Sequence, residues 1–141
     1  MAKTEISASE ARPREAAVPF NPMIIVAPLV GWLVPGAGHL VQRRWIRGLL
    51  LMVSVVLMFS LGLAMNGKVY QPNAGDLLDI LGFVGDLGTG GLYLLSRFQE
   101  WGSAAIAAAA ANYGTIFIVA AGLLNIMCVV DAYHIAQGRK Q

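Results

Sequence analysis

The chain has 141 residues, 57% hydrophobic and 13% charged, with a net charge of +2 and a mean hydropathy of +0.63. A soluble helical bundle of this size needs polar stripes along its helices, and the longest apolar runs here have none, so composition points to lipid. Arginines beside apolar segments, without a basic face or aromatic platforms, argue against nucleic-acid binding, and a single Cys128 inside an apolar run argues against a disulfide framework or a zinc cluster.

Residues 1–21 mix acidic and basic side chains with Ser, Ala and Pro and lack the material for a core, which predicts a mobile, uncleaved N-terminal tail. Residues 23–41 are nearly charge-free over a length that could cross a bilayer. However, Pro28 and Pro35 each remove an amide donor, and Gly36 and Gly38 weaken the helix beyond Pro35, so it is expected to stop near Val34, part of the way across. Residues 47–66 form the clearest transmembrane helix, ended by Asn66 and Gly67, with an exposed loop at 68–75.

The segment 77–98 is long enough to span but carries Asp79, Asp86 and a run of glycines from Gly82 to Gly91, with Asp76 placed to cap its start. Thr89-Gly90-Gly91 predicts two half-helices with a glycine corner. The alanine tract within 101–112 reads as a surface turn or lead-in helix, and 113–131 is the last span, closed by Asp131 and Tyr133 at interface depth. A short basic tail, 137–141, comes last. The expected fold is an all-α membrane domain over 22–136, with three or four embedded segments of which one or two are re-entrant or broken.

Lysine and arginine collect on the cytoplasmic side, which ranks the topologies. Four full spans divide the ten basic residues six to four. If residues 23–40 dip in and return, and the aspartate-bearing segment also fails to cross, the division is eight to two with a cytoplasmic C-terminus.

Gly36-Ala37-Gly38-His39, followed by Arg44 and Arg47-Gly48-Leu49-Leu50, resembles the loop of a small bacterial membrane domain built of two transmembrane helices. Leu40 and Val41 stand where that family has aromatic residues, and Arg43 replaces its loop glycine. The ending Asn125 to Lys140 is similar to bacterial integral membrane proteins of unknown function. The resemblance implies membrane location and a helical hairpin, and no catalytic residue.

Four groups of residues are candidates for function. Arg43, Arg44, Trp45 and Arg47 suit a membrane anchor, or alternatively a docking patch for a lipid headgroup or an acidic partner. Pro35, Gly36, Gly38 and His39 form a helix break, with His39 as a polar cap or interface contact, since no metal-ligating residue stands near it in sequence. Asp79 and Asp86 share one helical face across Gly82 and suit an ion path if embedded, or a wet interfacial helix if not. Gly114, Gly122 and Asn125, with Ile118, form a face for helix packing or subunit contact.

No nucleophile, metal or phosphate-loop pattern is present, so no cofactor and no enzyme is expected. The sequence therefore suggests a non-catalytic, multi-pass protein of the bacterial cytoplasmic membrane. It would act as a scaffold or accessory subunit, in contact with membrane lipids and with a membrane protein partner or a second copy. The alternatives are a minimal ion channel or transporter using Asp79 and Asp86, and a lipid- or stress-sensing protein.

Overall fold

The computed structural model describes residues 21–72, 76–102 and 109–139, and the tail 1–20 and most of the alanine tract lie outside them. The described residues are helical, in the order α1 (Met23–Leu33), α2 (Ala37–Val41), α3 (Trp45–Ala64), α4 (Leu77–Leu87), α5 (Gly91–Phe98) and α6 (Ala109–Ala136), with no strand among them. Two helices are long and apolar enough to cross a membrane, α3 with 20 residues and α6 with 28. At 1.5 Å per residue they measure about 30 and 42 Å, against a hydrocarbon core of about 30 Å.

α1 ends where its sequence ceases to support a helix. Val34 is extended (φ −123°, ψ 111°), as the residue before a proline prefers, and Gly36 then takes a left-handed φ of +78° that turns the chain back into α2. α2 folds against α1 because neither Gly31 nor Gly38 has a side chain: the two lie back to back, and Gly38 also sits on the Ala27 carbonyl. α1 and α2 thus make a short hairpin rather than one helix over 23–41.

α3 then runs antiparallel to α6, with Gly62 near the end of α3 against Gly114 near the start of α6. Asn66 (φ +58°) closes α3. α4 packs along α6 through Gly85 on Gly122 and Gly88 on Gly122 and Ile126, and it breaks at Gly88–Gly90, with Gly90 at φ +60°. α5 returns toward the end from which α4 came, where Gly102 touches Gly67 and Val69. The segment Gly67–Pro72 lies between these two half-helices, Val69 N–H donating to the Gly102 carbonyl (3.1 Å) and Tyr70 packing on Gly82. The last helix begins earlier and ends later than the span expected at 113–131, because Ala109–Ala111 are strong helix formers and Asp131 does not stop it.

The two halves of the chain repeat one plan in opposite directions. α1 and α4 have eleven residues each, their bounds differ by 54 positions, and the same offset relates the left-handed glycines Gly36 and Gly90. α1 starts beside the C-terminal end of α6, where the Asn21 amide donates to the Ala136 carbonyl, and ends beside Asn125. α4 starts near Lys68 and also ends beside Asn125. Each hairpin is followed by a long helix, which is the pattern of an inverted repeat.

The core between α3, α4, α5 and α6 is formed by Val55, Phe59, Val69, Tyr93, Ile118 and Ala121. Large apolar side chains also cover the outside, among them Ile46, Leu77, Phe98 and Met127. A Cβ at Gly90 would overlap the Trp32 carbonyl, and one at Gly122 the Gly85 carbonyl. Gly90→Ala adds the left-handed penalty to overpacking and is expected to cost at least about 2 kcal/mol, with Gly122→Ala costing at least about 1 kcal/mol. Both should lower the temperature at which the single buried thiol, Cys128, becomes reactive in detergent, whereas the exposed Ser54→Ala should not.

Candidate functional site

At the centre, two half-helices meet end to end, each presenting C-terminal carbonyls that have no partner in their own helix. Asn125, fully buried on α6, answers both: its Nδ2 donates to the Gly88 carbonyl (2.9 Å) and to the Trp32 carbonyl (3.4 Å). The Trp32 indole N–H donates in turn across the junction to the Leu87 carbonyl (3.1 Å). Gly114, Gly122 and Asn125 thus line the face of α6 that α3, α4 and α1 cover, and their contacts are internal to the chain. The Asn125 Oδ1 is buried with no hydrogen-bond partner.

The end near the α6 C-terminus carries the second group. His39 is 1% exposed on α2, and its Nε2 lies 3.1 Å from Asp131 Oδ2, while its Nδ1 is buried without a partner. Gln42, one turn on, donates from Nε2 to the carbonyls of Gly38 (3.0 Å) and Ala132 (2.9 Å). Pro35, Gly36 and Gly38 are buried and shape this return, Gly36 against Gly48 and Met52 and Gly38 against Ala132. The polar partner of His39 comes from 92 residues away, so no local spacing could reveal it. The signal lay in the charge count, which puts the return of 23–40 and the end of the last helix on the same side.

Beside this pair, Arg43 takes a left-handed φ of +60° and, with Arg44, leads into α3, whose first turn holds Trp45 and Arg47. Arg43, Trp45 and Arg47 are exposed, and no carboxylate of the described residues pairs with the three arginines. They line an open cavity of about 490 Å³ with Ile46.

At the opposite end the two aspartates part company. Asp79 is partly exposed and pairs with Lys68 (3.6 Å), whose ammonium also lies 4.6 Å from the centre of the Tyr70 ring. Asp86 is fully buried, and its Oδ2 accepts the Tyr70 backbone N–H at 2.6 Å. Tyr93 Oη donates to the Tyr70 carbonyl (3.4 Å), and Thr89 Oγ1 to the Asp86 carbonyl (2.7 Å). Thr89 is legible in the sequence only as part of the helix break, and Tyr70 and Tyr93 carry no local signal, although Tyr93 stands 54 positions after His39 in the corresponding returning helix. Among the described residues no group of three or more His, Cys, Asp or Glu could hold a metal ion.

Asn125→Leu strands two buried carbonyls and is expected to cost about 2 kcal/mol of stability, since each loses its donor. Asn125→Asp should cost more near neutral pH, because a carboxylate then faces two carbonyl oxygens. Its deficit should shrink on acidification, when the protonated acid can donate once. Thermal unfolding in detergent against pH checks both.

No characterised protein and no solved structure matched the chain. Residues 26–141, which include all six helices apart from the first three residues of α1, match a family of unknown function, DUF6677, and the chain belongs to that family.

Proposed function

We propose that this chain is a multi-pass protein of the bacterial cytoplasmic membrane, crossed by α3 and α6, with α1–α2 and α4–α5 entering as re-entrant hairpins from opposite faces. The observation that carries this reading is how charge falls on the fold. Arg43, Arg44, Arg47 and Arg139 lie at the end where Asn21 meets Ala136. Lys68 and Arg97 lie at the other end, beside Asp79 and Glu100. Among the described residues this is four basic side chains against two. Counted along the whole sequence such a topology divides them eight to two, the asymmetry that marks a cytoplasmic face, with Trp45 and Tyr133 at interface depth.

Its role is that of a non-catalytic scaffold or accessory subunit. Glycine backbones meet at the centre and leave no room for a substrate, so the outer surface is what it offers to other molecules. The apolar sides contact lipid and a membrane protein partner or a second copy. The arginine end, without acidic partners among the described residues, suits anionic headgroups.

Single cysteines introduced in a Cys128→Ala background test the topology. Asn21→Cys, Arg43→Cys and Arg139→Cys should react with a membrane-impermeant thiol reagent from the cytoplasmic side alone, and Lys68→Cys and Arg97→Cys from the other side alone. Labelling of Asn21→Cys and Arg43→Cys from opposite sides would mean that α1–α2 crosses and would defeat the hairpin reading. Purification in mild detergent should recover a stable partner or a homo-oligomer, and a clean monomer would defeat the subunit reading.

A further inference from the structure

We propose that Asp86 is a proton-binding carboxyl group, reached from the Lys68 end through the cleft between α4 and α5 that Val69–Pro72 fills. It rests on the membrane placement of α4 proposed above, and not on whether the chain assembles with a partner. Asp86 is 0% exposed, in the last turn of a half-helix whose neighbouring Gly85 lies on Gly122, halfway along α6. One carboxyl oxygen accepts a single backbone N–H, from Tyr70, and Oδ1 has no hydrogen-bond partner. A carboxylate at such depth is costly unless it is neutralised, and acids retained inside membranes are characteristically proton carriers or ion ligands.

The surrounding groups decide which ion fits. A metal ion needs several oxygen ligands. The turn after Asp86 has already committed its carbonyls: that of Asp86 accepts from Thr89, that of Leu87 from the Trp32 indole, and that of Gly88 from Asn125. A proton needs one oxygen, and Oδ1 supplies it. The titratable groups facing the site are Tyr70 from the plug and Tyr93 from α5, with Arg97 a turn further along. Asp79 and Lys68 form a pair at the mouth. α6 contributes Val119 and Gly122 alongside, neither of which titrates.

Among the described residues no cation reaches Asp86, because Lys68 is held outside the Tyr70 ring. Beyond the plug, a cavity of about 360 Å³ lined by Lys68, Tyr70, Gln71 and Asp79 opens at this end. Among the described residues the plug is held by hydrogen bonds from Val69 to Gly102 and between Tyr70 and Asp86 and Tyr93, by Val69 in the core and by the Tyr70 ring on Gly82, so Tyr70 is the group that would have to move for the cavity to reach the acid.

Dicyclohexylcarbodiimide, an apolar reagent for protonated carboxyl groups, tests this on the whole protein in detergent or liposomes. The carboxyl O–H adds across one C=N bond to give an O-acylisourea, which rearranges to a stable N-acylurea with no atom lost. Mass spectrometry of the unmodified protein should map the adduct to Asp86, with labelling falling as pH rises. Asp79→Asn should leave it unchanged and Asp86→Asn should remove it. Tyr70→Ala, which thins the plug, should speed it several-fold. An Asp86 unlabelled from mildly acidic to mildly alkaline pH, while the protein stays folded, would overturn the proposal. So would adducts confined to Asp79, Glu100 or Asp131, or labelling of Asp86 that does not change with pH.

Discussion

Two helix ends of the same polarity meet in the middle of this protein, and the structure depends on how their free carbonyls are answered. A helix C-terminus carries unsatisfied C=O groups and a partial negative charge, and in an apolar interior no water is present to meet them. Here the donors come from the side: the Asn125 amide reaches one carbonyl from each hairpin, and the Trp32 indole crosses from one hairpin to the other. The remaining closeness comes from glycine, since Gly90 and Gly91 lie directly on the last carbonyls of α1. A single amide and a few missing side chains thus let two incomplete helices act together as one continuous layer beside α3 and α6.

The inverted repeat explains why the junction has this form. A half-helix that turns back covers only part of the length of α3 and α6, and a second hairpin from the other end covers the rest. Strict symmetry is broken in the polar groups. The returning helix α2 carries His39, paired to Asp131 on α6, while α5 carries Tyr93, bonded to the Tyr70 carbonyl of the plug. Arg43, Arg44, Arg47 and Arg139 gather at one end, against Lys68 and Arg97 at the other. The same backbone plan therefore presents a basic, histidine-bearing face on one side and an aspartate-bearing, plugged face on the other.

Much of the secondary structure was legible, for local reasons. Pro35 forbids the helix to continue and forces Val34 out of it, and Thr89-Gly90-Gly91 does the same for the later segment. Asp79 and Asp86 were legible as one face but not as two environments. Seven residues separate a solvated salt bridge from a fully buried acid, and only the path of Gly67–Pro72 between α4 and α5 decides which carboxyl is covered. Gly114, Gly122 and Asn125 were readable as a contact face, whereas the identity of their contacts was not.

The amino-acid sequence by itself determined where helices can run and where they must stop, because proline and glycine act through their own backbone. Tertiary structure decided the long-range pairings: His39 with Asp131, Asn125 with both hairpin tips, and Tyr70 over Asp86. Such contacts arise when distant backbones approach closely enough to exclude solvent, so that each buried polar group takes whichever partner the packing brings within reach.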